Sequence, residues 1–72
     1  MITRDLSMDV HFFAAALSET LISVWEEDTA GVYAEVERGI IDRYTADYVR
    51  VRNVETGSRT YYSRDTAMFK RI

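Results

Sequence analysis

Seventy-two residues, 47% of them hydrophobic and 29% charged, suit one small domain and leave no room for a second. With no cysteine and a single histidine, His11, the chain builds neither a disulfide framework nor a Cys/His zinc site. The net charge of −3 divides by position: residues 1–37 carry one basic and eight acidic side chains, a net −7, whereas residues 38–72 carry eight basic and four acidic ones, a net +4.

In chain order the first expected element is a helix. Leu6, Val10, Phe13, Leu17 and Leu21 recur every three or four positions, with the helix formers Ala14, Ala15 and Ala16 between them, and predict one amphipathic helix over residues 5–19. Thr3, Asp5 and Ser7 each offer an N-cap, and acidic residues near the start suit the positive end of the helix dipole. Leu21 to Trp25 reads either as continued helix, on the spacing of Leu17, Leu21, Val24 and Trp25, or as a short strand. A break at Ser18 to Thr20 is favoured; a helix running through Trp25 would leave an open sheet of three or four strands.

Val32, Ala34 and Val36 alternate with Tyr33, Glu35 and Glu37, and Val49 and Val51 alternate with Tyr48, Arg50 and Arg52, both at the period of a half-buried strand. Turn chemistry stands at Asp28 to Gly31, Thr45 to Asp47 and Glu55 to Ser58, and Gly39 inside a continuous strand predicts a bulge or bend. Arg59 to Arg64 and Ala67 to Ile72 are short, β-prone and separated by Asp65 and Thr66. The expected fold is mainly β with one N-terminal α-helix. It is a small Sm/SH3-like antiparallel β-barrel of about five short strands over residues 21–72, since closure protects edges that an open sheet exposes.

Gly39 to Val51, a glycine in a bent strand followed by a turn and an alternating strand, resembles the first Sm motif. Gly57 to Phe69, with Tyr61-Tyr62-Ser63-Arg64 and then Met68-Phe69, resembles the second in spacing, and Sm-like proteins also carry a helix before the first strand. This resemblance covers nearly the whole chain and implies a ring-forming barrel. The chain has Thr45-Ala46-Asp47 where Sm proteins place an aspartate and an asparagine, and Ser63-Arg64 where they carry the RNA-binding Arg-Gly or Lys-His pair. A helix, then Val24-Trp25-Glu26-Glu27-Asp28, a glycine, and Gly39-Ile40-Ile41-Asp42 also resemble the YolD-like proteins of bacteria and their phages, which implies a small barrel with no assigned chemistry.

Catalysis is the least supported class. His11 sits beside Phe12 and Phe13 with no cysteine partner and reads as a half-buried structural histidine rather than a general base. Glu26-Glu27-Asp28 lacks the regular ligand spacing of a calcium loop and reads as a solvated strand end. No glycine-rich phosphate loop, nucleophile elbow or zinc motif is present, so no cofactor and no metal are expected.

Binding has more material. Tyr48, Arg50 and Arg52 share the outward side of one strand, Arg59 and Tyr61 share a side of the next, Arg64 follows, and Arg43 and Tyr44 precede. Tyrosine and arginine supply large contact area at protein interfaces, and they also stack bases and neutralise phosphates. Protein contact, self-association included, ranks first. A solvated sheet face ranks next and nucleic acid last, because the −7 half repels phosphate unless it lies on another face. A homo-oligomer in which acidic and basic halves meet head to tail is the leading expectation. An RNA or single-strand binder is the alternative, and a phage or mobile-element protein that binds a host factor is a third. The longest uncharged run, Val10 to Ser18, is too short to span a bilayer, and the acidic start is unlike a signal peptide, so a cytoplasmic location without membrane partners is expected.

Overall fold

The computed structural model describes residues 5–72, in the order β1 (Asp5–Leu6), α1 (Asp9–Leu17), β2 (Leu21–Glu27), β3 (Tyr33–Tyr44), β4 (Tyr48–Asn53), β5 (Arg59–Ser63) and β6 (Met68–Arg71). The six strands form one sheet in the order β1-β6-β2-β3-β4-β5, every neighbour antiparallel. The chain is therefore mainly β with one short helix. Val24 and Trp25 pair with β3 on one side and β6 on the other, so residues 21–25 begin the sheet, as the favoured break at Ser18 to Thr20 requires.

The helix is shorter than its apolar spacing predicts. Asp5 and Leu6 are strand, paired with Lys70 and Phe69, because that pairing seats Leu6 in the core beside Phe69. Thr3, one of the expected caps, lies outside the described residues. The first backbone amides of the helix region are satisfied by His11, whose Nδ1 accepts the N–H groups of Ser7 and Met8. At the other end Thr20 N–H reaches Ala15 O and Glu19 N–H reaches Ala16 O, the paired bonds of a Schellman cap. The left-handed position of that cap, at φ 50°, is held by Glu19 instead of glycine.

The amphipathic stripe is also corrected. α1 buries Phe12 and Ala15, while Val10, Phe13 and Leu17 stay 61%, 54% and 76% exposed. At roughly 100° per residue these two sets lie on opposite sides of the helix, so α1 has an inward apolar face and an outward one. The inward face is decided by Phe12, the one aromatic ring that reaches the sheet. It meets Phe69 edge-on at 5.5 Å between centroids, lies tilted against Tyr44 at 6.1 Å, and carries the Arg64 guanidinium at 4.6 Å. Around it the core is Leu6, Ala15, Ile22, Val24, Ile41, Val49, Val51, Ala67 and Phe69.

β3 serves two neighbours in succession. Tyr33 to Ile40 pair with β2, and Gly39 to Tyr44 pair with β4, with register shifts between Val24 and Trp25 and between Ile41 and Arg43. Gly39 sits at the handover, buried, where a Cβ would strike the Arg52 carbonyl oxygen and come within 2.7 Å of Val51 Cγ1. The bend expected there is thus a site of close backbone approach. Before it, Val32, Tyr33, Ala34 and Val36 are exposed, so this segment is not the half-buried strand that its alternation predicts: among the described residues Tyr33 to Arg38 have a strand on one side only.

Two substitutions test these backbone assignments with opposite signs. Gly39→Ala forces the β3–β4 contact apart and is expected to cost about 1–3 kcal/mol. Glu19→Gly relieves a left-handed residue and is expected to stabilise by about 0.5–1 kcal/mol. Urea unfolding with unchanged slope measures both, and a neutral Gly39→Ala contradicts the close-approach account.

Candidate interaction face

The sheet has one face toward α1 and the other uncovered. On β4, Val49 and Val51 point into the core and leave Tyr48, Arg50 and Arg52 on the uncovered face. Direct cross-strand partners share a face, so Arg59, opposite Arg52, and Tyr61, opposite Arg50, join them. Five of the eight expected contact residues thus come together. Tyr48 and Tyr61 are half exposed, with ring centroids 6.4 Å apart and planes at 90°, and Arg50 Cζ lies 5.8 Å from the Tyr61 centroid.

The other three are placed differently. Arg43 follows the β3 register shift opposite Arg50 and is exposed at the margin of the cluster. Tyr44 turns inward against Phe12. Arg64 is a tether: it donates to Asp9 Oδ1 at 2.7 Å, to the Thr45 carbonyl at 2.6 Å and to the Ser7 carbonyl at 3.1 Å, and its side chain is 15% exposed. These bonds fix the start of α1 to the β3–β4 turn.

Asp42 escapes a reading of the sequence that looks only for positive charge. It follows the inward Ile41 and so points outward at the register shift, where Arg50 Nε donates to Oδ1 at 2.7 Å and Arg59 Nε to Oδ2 at 2.8 Å. Burial opposes its ionisation, but the hydrogen bonds and charges of Arg50 and Arg59 outweigh that and hold the carboxyl below the ordinary aspartate range. The bond to Asp42 in turn raises the pKa of Arg50, against the desolvation it suffers. One carboxylate thus orients two guanidinium groups and neutralises half of their charge. The sequence signal was a single acid within a strand, directly before Arg43 and preceding the arginine-bearing strand β4.

A second polar group closes the inner side. Tyr62 donates its hydroxyl to Glu37 Oε1 at 2.6 Å, and Asn53 Nδ2 donates to Glu37 Oε2 at 3.1 Å. Burial first, then the Glu37 carboxylate, push the Tyr62 phenol well above its usual range. Among the described residues every buried side-chain nitrogen or oxygen has a partner, and no group of three His, Asp or Glu side chains is arranged to hold a metal ion. His11 is occupied by the helix start. No helix of the described residues is long and apolar enough to cross a membrane.

What the geometry offers is an exposed aromatic and cationic contact surface. Comparison with protein-family models, curated proteins and solved structures returns no match. The functional reading therefore rests on the residues of this face and of α1.

Because the folded state holds Asp42 below its ordinary pKa, the stability from its ionised form is complete above about pH 4 and is lost as pH falls through the depressed value. Acid titration of stability is expected to show Asp42→Asn less stable than wild type near neutrality, with the gap narrowing below about pH 4. A gap that is constant down to the acid limit contradicts the assignment.

Proposed function

We propose that this chain is a non-catalytic interaction module, built on a small Sm/SH3-like barrel, that self-associates and presents its Tyr/Arg face to a macromolecular partner. The barrel reading is supported by the bend of β3 from β2 to β4 and by Tyr62 of β5 reaching Glu37 of β3 across the inner face, which draws non-adjacent strands toward one another.

The observation that carries self-association is the outward stripe of α1. Val10, Phe13 and Leu17 are each more than half exposed on a helix of nine residues whose other side already fills the core. Burying such side chains is worth about 1.5–3 kcal/mol each. The −7 and +4 halves supply attraction between copies that net charge alone would not suggest. Light scattering from micromolar to millimolar concentration, at low and high salt, is expected to show mass rising with concentration and falling with salt. Phe13→Ser with Leu17→Ser is expected to weaken association about tenfold or more while unfolding stays cooperative. A salt-insensitive monomer throughout overturns the reading.

A second reading, binding of single-stranded nucleic acid on the same face, is favoured by the two exposed tyrosines set among Arg50, Arg52 and Arg59. Asp42 weakens it by engaging two of those guanidinium groups. Titration of labelled homopolymers at low salt separates the two. Binding abolished by Arg50→Glu with Arg52→Glu supports the second reading, and no binding, or binding that survives the double reversal, removes it.

A further inference from the structure

The hairpin arm that precedes Gly39 is incomplete as it stands. Trp25 to Glu27 pair with Tyr33 to Glu35, and among the described residues no strand lies on the far side of Tyr33 to Arg38. Trp25 still pairs with Met68 of β6, so only the tip, Glu26 and Glu27 with Ala34 and Tyr33, is a two-stranded ribbon, a form that is marginal in water, and the arm exposes Val32, Tyr33 and Val36. Its hydrogen-bonding state follows from the turn: Asp28 N–H bonds Val32 O, and the alternation of an antiparallel ladder makes Glu26 and Ala34 the next mutually bonded pair. The backbone N–H and C=O groups of Tyr33 and Glu35 consequently point to the open edge.

The sheet has a second open edge of matching length. Asn53 N–H bonds Ser58 O and Arg64 N–H bonds Asp47 O, so Thr60 and Tyr62 face β4, while the backbone groups of Arg59, Tyr61 and Ser63 face outward. β1, at the opposite end of the sheet, has two residues among those described. The guards on the two long edges differ in sign. The arm carries Glu26, Glu27, Asp28 and Glu35 and no basic residue before Arg38, whereas β5 carries Arg59 beside Arg50 and Arg52 of β4. Charged guards of one sign keep like edges apart; here arm against arm and β5 against β5 repel, and arm against β5 attracts.

We propose that the open edge of the arm, at Tyr33 to Glu37, is completed by β5 of a second copy, in an antiparallel head-to-tail contact that extends the sheet between molecules. This rests on the self-association proposed above and adds a strand-edge contact to the one through the outward stripe of α1. Each copy has one arm and one β5, so the contact propagates, closing into a ring or continuing as a chain. The groove beside the arm, about 460 Å³, sets Leu21, Val36 and Val54 among the mainly acidic Glu35, Glu37, Arg38, Asn53 and Glu55, a lining that suits an incoming strand bearing tyrosine and arginine.

The chain has no cysteine, so disulfide trapping is clean. Glu35→Cys is mixed with Arg59→Cys, Tyr61→Cys or Ser63→Cys and oxidised mildly, with light scattering on the unmodified chain in parallel. Covalent dimer several-fold more abundant in at least one mixture than in any single variant alone is expected, and its yield falls with salt. Association by light scattering without that excess overturns the edge contact and leaves self-association standing; a monomer at every concentration overturns both. Glu35→Pro removes one outward N–H and spares the bonds to β2, and it is expected to weaken association about tenfold. Unchanged association of a folded Glu35→Pro chain also overturns the proposal.

Discussion

The close approach of β4 to Gly39 is the contact on which the other features depend. β3 runs for twelve residues beside neighbours of seven and six, and it is released from β2 as it takes up β4. That exchange needs the Arg52 carbonyl against the Gly39 backbone, where no side chain fits. From it follow the outward turn of Asp42 at the next register shift, the inward placement of Ile41 and Tyr44, and the freedom of Tyr33 to Arg38 from a second partner.

The core is built around what one short helix can cover. Nine residues of α1 deliver Phe12 and Ala15 to the sheet, and Arg64 holds the helix start in place with three hydrogen bonds and its stack on Phe12. Coverage ends there. The arm, the Tyr48–Tyr61 face and the outer stripe of α1 are left to solvent, with Val32, Tyr33, Val36, Tyr48, Tyr61, Val10, Phe13 and Leu17 all exposed. Charge is arranged to match: acid on the arm, arginine on β4 and β5.

Much of this could be read from the residues, for physical reasons that differ by element. Alternation of Val49 and Val51 with Tyr48, Arg50 and Arg52 is a period-two signal with no competitor, so both the strand and its outward face were legible. Ser18 to Thr20 showed the helix break through loss of helix formers, although nothing local announces that Glu19 will take a left-handed cap. Helical spacing of Val10, Phe13 and Leu17 named an apolar stripe but not its side: the ring of Phe12 outcompetes it for the core, and only tertiary packing decides that. Val32 and Val36 alternate as a buried strand would, yet burial needs a covering element, and α1 is too short to supply it. Tyr44 and Arg64 carried the right chemistry for a contact surface and were drawn instead into fixing the helix, because the register shift after Ile41 turns Tyr44 inward and the turn after Ser63 points Arg64 at Asp9.

The central claim is that β3 divides at Gly39 and leaves one edge open until another molecule closes it. Residue-resolved amide hydrogen exchange over a range of concentrations tests this most directly. At the lowest concentration Ala34 and Ile40, which bond β2 and β4, are predicted to be protected while Glu35 and Tyr61 exchange freely, and at high concentration Glu35 and Tyr61 become protected together. Protection of Glu35 that is already complete at the lowest concentration, or absent at every concentration in a chain that associates, would contradict the account.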